Sequence, residues 1–252
     1  MSRRTDRRAW DAYITEFHDR RPGITEAVLS HCVDDRGSTP YDWLVAGIQP
    51  TDRVLDVACG SAPTRPLIAG RWLGVDRSSS ELHEALRDHR SAVAQGDATA
   101  LPVRSGSVDV VLVSMALMLI DPLDDALAEI YRVLVPGGEL RALLPTTTAM
   151  TIGDRRGYAR LAIASRSIPR FPSTPLDRSL APIVDSGLRL SGNDRRRFTH
   201  PLADTSAARQ FLDSWYTPTT PTALETRRQS SMRIPRIDEI AVPLRRILAR
   251  RD

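Results

Sequence analysis

Three aspartates punctuate the first half of the chain at Asp56, Asp76 and Asp97, each beside a short apolar stretch. Asp56 stands in V-L-D-V-A-C-G-S-A-P, Val54 to Pro63, where an apolar run gives way to small residues. Such a run reads as a buried parallel strand feeding a tight loop, and ligands of open α/β sheets bind at such strand ends. Asp76 lies 20 residues after Asp56. An acid at that distance, at the end of the second strand, accepts hydrogen bonds from a ribose diol in dinucleotide folds. The chemistry these residues can do is therefore recognition of an adenosine-like ligand laid across the strand ends. The small residues of the loop would let backbone approach it closely. Each acid alone is compatible with an ordinary turn; three at successive strand ends argue for a site.

The elements that must position these acids can be read from periodicity. Between Arg53 and Pro145 strand and helix signals alternate, the pattern of a parallel sheet with right-handed crossovers. Strands are expected at Val54–Val57, Trp72–Val75, Ala92–Gln95, Val108–Val113 and Glu139–Leu144. Helices are expected at Thr64–Ala69, at Ser79 to about His89 with Ser78 or Ser79 as cap, and at Pro122–Leu134. Pro136-Gly137-Gly138 reads as a turn. The fold class expected is α/β, a Rossmann-like, doubly wound, mostly parallel seven-stranded sheet with helices on both faces and helical caps from both ends of the chain.

Ahead of the sheet, Trp10, Tyr13, Ile14 and Phe17 form one helical stripe that Pro22-Gly23 interrupts. Thr25 is expected to cap a second helix, Glu26 to Cys32, and a third should run from Pro40 to Gly47. Past the sheet core, Tyr158–Ile168, Pro175–Ser186 and Ser206–Tyr216 read as helices, the last following a loop at His200-Pro201 and ending at Pro218 and Pro221. Leu188–Leu190 suits a sixth strand. Residues 240–248 fit either periodicity, but Pro243 speaks against a helix interior and tips the reading to a strand. This divides the chain into an N-terminal helical cap (1–47), a ligand-binding core (48–146) and a C-terminal part with lid segments (147–252).

Composition narrows the class. The chain has 252 residues, 41% of them apolar, enough to bury a full core. The longest apolar run, Val108 to Ile120, is broken by Asp109 and Ser114, so no membrane span is expected. The basic N-terminus is followed by no apolar segment, unlike a secretory signal. Cys32 and Cys59 make no metal pattern and point to a reducing, cytoplasmic setting. The net charge is +4, carried entirely by arginine, but acids are interspersed nearly everywhere. That arrangement suits solvated faces better than a nucleic-acid surface.

Which nucleoside ligand follows from the loop. A nicotinamide or flavin dinucleotide needs G-x-G-x-x-G against its pyrophosphate, whereas A-C-G-S-A-P holds one glycine. No G-K-[ST] is present for a P-loop. What stands here resembles the class I S-adenosylmethionine-dependent methyltransferases over Arg53 to Leu144. V-L-D-V-A-C-G-S-A is similar to their first motif, G-V-D-R-S at Gly74–Ser78 to their second-strand acid, and G-D-A-T-A-L-P at Gly96–Pro102 to their third motif. S-V-D-V-V-L-V-S at Ser107–Ser114 resembles their fourth strand, and R-V-L-V-P-G-G-E-L at Arg132–Leu140 the lead into their fifth.

The resemblance implies roles. Ala58, Cys59 and Gly60 would admit the methionine and ribose portions of S-adenosylmethionine, and Asp56 would order the loop or hold the amino group. Asp76 would take the ribose hydroxyls, with Arg77 stacked beside the adenine. Asp97 and Ala98 would meet the adenine edge, and Ser114 and Met115 would flank the methionine moiety. Two departures stand out. Ala58 and Ala62 replace glycines, which is expected only if the backbone there avoids the left-handed region. Met118-Leu119 stands where many relatives carry histidines. The activity implied is in-line methyl transfer to a small-molecule acceptor, with no metal. A dinucleotide-dependent oxidoreductase and a non-catalytic S-adenosylmethionine-binding protein are the alternatives. For a general base the sequence offers His18, His31, His200 and Tyr216. His83 and His89 fall on an exposed helix face, and no histidines pair at metal-ligand spacing. The oligomeric state is not legible.

Overall fold

The computed structural model describes residues 3–165, 176, 179–217 and 237–252. The first apolar stripe forms helix α1 (Arg3–Arg20), stopped at Pro22-Gly23. Helix α2 (Ile24–Leu29) starts from Gly23, whose φ of 75° suits glycine, and no side chain caps it. Thr25 is thus not the cap expected, because it already lies inside the first turn. Helix α3 (Pro40–Val45) has a complete capping box. Thr39 Oγ1 accepts from Asp42 N at 3.1 Å, and Asp42 Oδ2 accepts from Thr39 N at 2.9 Å.

Seven strands form one sheet: β1 (Arg53–Val57), β2 (Arg71–Asp76), β3 (Val93–Gln95), β4 (Val108–Ser114), β5 (Leu134–Pro145), β6 (Leu188–Pro201) and β7 (Glu239–Arg251), in the order β3-β2-β1-β4-β5-β7-β6. The first five are parallel, and β7 runs antiparallel between β5 and β6. The order reverses between β1 and β4, which puts a crevice beyond their C-terminal ends. Helices α4 (Ser79–Arg87), α5 (Leu123–Val133), α6 (Ile152–Ser165), α7 (Ala181–Asp185) and α8 (Thr205–Asp213) complete the described elements.

Alternation along the strands builds a core on each face. On β4, Val110 and Leu112 join Val54, Trp72, Leu44 and Phe211 on one side; Val111 and Val113 join Leu55, Val57, Leu127 and Ile130 on the other. A third, small cluster of Ile14, Phe17 and Tyr216 joins α1 to the chain after α8. No helix among the described residues is long and apolar enough to cross a membrane.

Several expectations are corrected. Thr64–Ala69 gives only a single 3-10 turn, Arg65–Leu67. The span is too short to pay back helix nucleation, and Thr64 is engaged by Asp56. Leu134 to Gly138 belongs to β5, not only to a turn: Leu134 pairs with Val108, with a register shift before Val110. His200 and Pro201 end β6 instead of forming a loop, and that strand runs 14 residues through Arg195-Arg196-Arg197. An edge strand tolerates such charges, which masked it in the sequence. Residues 240–248 are strand. Pro243 lies just past the β5 ladder, which ends at Pro145 opposite Leu244, so its missing N–H costs no bond there. Helix α6 begins at Ile152, and α7 covers only Ala181–Asp185 of the Pro175–Ser186 helix expected. Residues 166–168, 175, 177 and 178, with Pro218 and Pro221, lie outside the described residues.

Candidate functional site

Asp56, the fourth residue of β1, is 1% exposed and opens on a cavity of about 400 Å³ at the strand ends. Its Oδ2 accepts from Thr64 Oγ1, which in turn accepts from Trp72 Nε1 at 3.2 Å. Its Oδ1 has no hydrogen-bond partner. Burial, reinforced by the nearby Asp76 charge and opposed by the Thr64 bond, pushes its carboxyl up to about 7. Ser114 Oγ, at the end of β4, is also buried and unpartnered, and faces the same cavity.

The loop after β1 turns through the left-handed region three times, at Ala58 (φ 54°), Gly60 (φ 55°) and Ala62 (φ 61°). This corrects the expectation that alanine there avoids that region. The conformation costs about 1–2 kcal/mol per alanine and persists because neighbours fix it. Cys59 N donates to Val75 O at 3.2 Å, Gly60 N to Asp76 Oδ2 at 2.8 Å, and Ala62 N to Cys59 O at 2.9 Å. At Gly74 a side chain is excluded: an added Cβ would sit 2.4 Å from Trp72 Cη2 and 2.7 Å from Cys59 Sγ.

Asp76 closes β2. Its Oδ1 accepts from Ser78 N at 2.8 Å. Burial raises its pKa, the Ser78 and Gly60 amides pull it down, and Glu81 adds to the rise. A carboxylate has about four lone-pair sites, so two amides leave room for further donors. Asp97 is exposed, and Thr99, through its amide and hydroxyl at 2.8 Å each, holds its pKa below the usual carboxylate value.

All ten residues expected at the cofactor line this one cavity: Asp56, Ala58, Cys59, Gly60, Asp76, Arg77, Asp97, Ala98, Ser114 and Met115. Arg77 is engaged differently from the expected stacking, its guanidinium donating to Asp11 Oδ1 (2.6 Å) and Thr15 Oγ1 (3.1 Å) on α1. Of the candidate bases, His18 and Tyr216 line the cavity, and His31 and His200 do not. His31 Nδ1 is bonded to Ala27 O at 2.9 Å, whereas His200 is buried with neither nitrogen partnered, and burial lowers its pKa.

Residues of the expected N-terminal cap and Tyr216 of the C-terminal part roof the cavity, but how they pair was not legible in the sequence. Helix α1 lies across the mouth, with Ile14, Thr15, His18 and Asp19 facing in. Ser78 Oγ donates to Asp19 Oδ1 at 3.1 Å, and Thr217 N donates to Tyr13 Oη at 2.8 Å. His18 Nδ1 lies 2.8 Å from Glu81 Oε1, and Nε2 lies 3.0 Å from Tyr216 Oη. Glu81 is the residue that sequence reasoning missed. Ser78 and Glu81 have capping-box spacing, and Ser78 Oγ does accept from Glu81 N. The reciprocal bond is absent because Asp76 already takes the Ser78 amide, which frees the Glu81 carboxylate to reach Gly23 N (2.9 Å) and His18. Among the described residues no cluster of His, Cys, Asp and Glu could hold a metal ion.

The site fits a cationic nucleoside. An unpartnered, deeply buried carboxylate oxygen suits a positive group, the small-residue loop admits close approach, and acids stand at successive strand ends. Residues 55–142 match the methyltransferase domain family. A malonyl-[acyl-carrier protein] O-methyltransferase of Xylella fastidiosa is 34% identical over 162 residues, which cover 60% of this chain and 53% of that protein. A demethylmenaquinone methyltransferase of Beutenbergia cavernae is 37% identical over 127 residues, 48% of this chain and 52% of that protein. The chain spans about half the length of these curated relatives. Its fold is shared with a geranyl diphosphate methyltransferase solved in complex with GPP and sinefungin, at a TM-score of 0.51 and 15% identity, covering 84% of this chain and 76% of that one. Residues 55–142 therefore carry the motif order of the methyltransferase domain family, on a sheet whose fold the solved methyltransferase shares.

Proposed function

We propose that the protein moves the methyl group of S-adenosylmethionine onto a small-molecule acceptor by in-line displacement. The observation that carries this reading is the roofed cavity at the strand ends. About 400 Å³ of space falls within the roughly 300–1,000 Å³ usual for small-molecule sites. The donor, when bound, supplies a methyl group already activated by a sulfonium. What remains for the chain is to align, to enclose and to exclude water.

In this reading Asp56 holds the amino group and Ser114 and Met115 flank the methionine portion. Ala58, Cys59 and Gly60 give the backbone access, Asp76 takes the ribose hydroxyls, and Asp97 and Ala98 meet the adenine. Arg77 ties the lid to the second strand instead of stacking on the base. The chain divides into a cap (1–47), a cofactor core (48–146) and a C-terminal part (147–252), and the acceptor pocket is built by residues 1–45 and 146–235. A small acceptor accords with the relative named for demethylmenaquinone. Many arginines are already paired with acids, Arg53 with Asp109 and Arg90 with Glu26 among them, which disfavours a nucleic-acid face. Two free buried cysteines suit the cytoplasm.

Calorimetric titration with S-adenosylhomocysteine tests the cofactor half. Folded Asp76→Ala and Asp97→Ala proteins should bind it at least about tenfold more weakly, each having lost a charge-assisted bond worth about 1.5–3 kcal/mol. Unchanged affinity would overturn the assignment, and preferential binding of a reduced nicotinamide dinucleotide would favour an oxidoreductase. Exchanging residues 1–45 and 146–235 for those of a relative should change acceptor preference while leaving S-adenosylhomocysteine affinity in place.

A further inference from the structure

The relay Glu81–His18–Tyr216 joins three segments far apart in sequence at the wall of the cavity. Glu81 is nearly closed off, its side chain 5% exposed, and its second oxygen accepts from Gly23 N. A carboxylate can only accept, so His18 Nδ1 carries the proton and donates to it at 2.8 Å. That fixes the tautomer. Nε2 is left with its lone pair, and the Tyr216 hydroxyl donates to it at 3.0 Å. Tyr216 is itself no base: burial first, then the charge of Glu81, raises its pKa well above the ordinary phenol value. An imidazole with one unprotonated nitrogen that accepts from a hydroxyl and an orienting carboxylate on the other nitrogen is the arrangement of a general base. The Tyr216 ring marks where a partner hydroxyl sits. It stands edge-on to Phe17, centroids 4.8 Å apart, with Tyr13 tilted against Phe17 beyond it.

We propose that His18 is the general base of this site and that the acceptor is an aromatic hydroxyl compound whose OH takes the place of the Tyr216 hydroxyl at Nε2. This rests on the methyl-transfer reading above. In the step, the acceptor O–H bond breaks and its proton passes to Nε2. The oxygen electron pair forms the new O–CH3 bond. The CH3–S bond breaks and leaves its pair on a neutral thioether. The imidazolium is stabilised by the Glu81 carboxylate and returns its proton to water when product leaves. His18 is thus a catalytic residue and Glu81 a positioning residue. Asp76 at the end of β2 also feels the charge of His18, and Asp19 on the same helix lines the same cavity.

The test uses the full chain, S-adenosylmethionine and a series of phenols from unsubstituted phenol to 4-nitrophenol. His18→Gln should lower kcat on phenol by about 10²-fold or more, the span of general-base catalysis. The loss should shrink toward unity for 4-nitrophenol at a pH where it is already ionised. Glu81→Gln should shift the pH profile of kcat and leave the trend across the series in place. A lid contact without proton transfer would instead raise KM alike for every phenol, and that result overturns the proposal. A second readout needs no turnover. In 15N spectra the His18 Nε2 resonance should move when phenol is added, and His18→Gln should weaken phenol binding by about tenfold, one charge-assisted or good neutral hydrogen bond. Phenol that binds without moving that resonance, or does not bind, overturns the proposal. Failure to bind S-adenosylhomocysteine counts against the methyl-transfer reading, while the response of His18 to phenol is read with or without it.

Discussion

Asp56 is buried at the base of the cavity with one oxygen unbonded, so replacing it by asparagine should change how stability depends on pH. In the folded chain its carboxyl titrates at about 7, against an ordinary value of 3.8. Between these values the folded state holds a proton that the unfolded state has released. Stability is therefore fully present below about pH 4 and is lost as pH rises through 7. The slope is about 1.36 kcal/mol per pH unit, so from pH 5 to pH 8 the loss is about 3 kcal/mol, most of it before pH 7. Asparagine does not titrate and escapes this loss. Asp34, Asp97, Asp109, Glu129 and Asp154 all have lowered pKa values and act in the opposite sense, but both proteins carry them and they cancel in the difference. Urea melts of both proteins at half-unit steps from pH 5 to 8 give that difference directly. A difference flat to within about 0.5 kcal/mol would mean that Asp56 is ionised throughout, and the burial argument would fail.

If Asp56 holds the cationic amino group, binding below pH 7 must expel its proton. S-adenosylhomocysteine affinity should then rise by up to about tenfold per pH unit from 5 to 7 and level off above, and calorimetry of Asp56→Asn should show no such rise. Thr64→Val leaves Asp56 with neither oxygen bonded and Trp72 Nε1 without an acceptor. It should cost about 1–3 kcal/mol in denaturant melts and move the Asp56 titration upward. Gly74→Ala drives a methyl into the Trp72 ring and the Cys59 sulfur; a loss of about 1–3 kcal/mol with weakened cofactor binding is expected, and full retention of both would count against the packing described. Ala58→Gly should stabilise the chain by up to about 1 kcal/mol by relieving the left-handed alanine. Ala62→Gly should gain little, because the Ala62 methyl is fully buried and its loss offsets the relief.

The parallel half of the sheet was legible because its strands are buried on both faces and so read as near-continuous apolar runs: V-V-L-V within β4 has no other good reading. The acids were legible for the same reason, standing where those runs end. Strand β6 was largely hidden, since an edge strand carrying Arg195-Arg196-Arg197 lacks an apolar signature. The backbone at Ala58 and Ala62 was misread because a propensity rule was applied to a loop whose conformation is set by β2 and Asp76. Caps from both ends were expected, but their meeting was out of reach for a geometric reason: His18 and Tyr216 are 198 positions apart, and nothing local signals that they touch. Glu81 stands in the first turn of α4, where an acid is ordinary, and only the competition of Asp76 for the Ser78 amide redirects it.

The late insertion of β7 between β5 and β6 has a consequence for synthesis. During translation β6 is made before the strand that will hydrogen-bond along its whole length, and until then β5 presents an open flank. A nascent chain at that stage exposes two templates for unwanted pairing with other copies. The run of guanidinium groups on β6 keeps that edge charged through the interval, so exchanging Arg195, Arg196 and Arg197 for valine or threonine would harm yield from the ribosome before it harmed the finished fold.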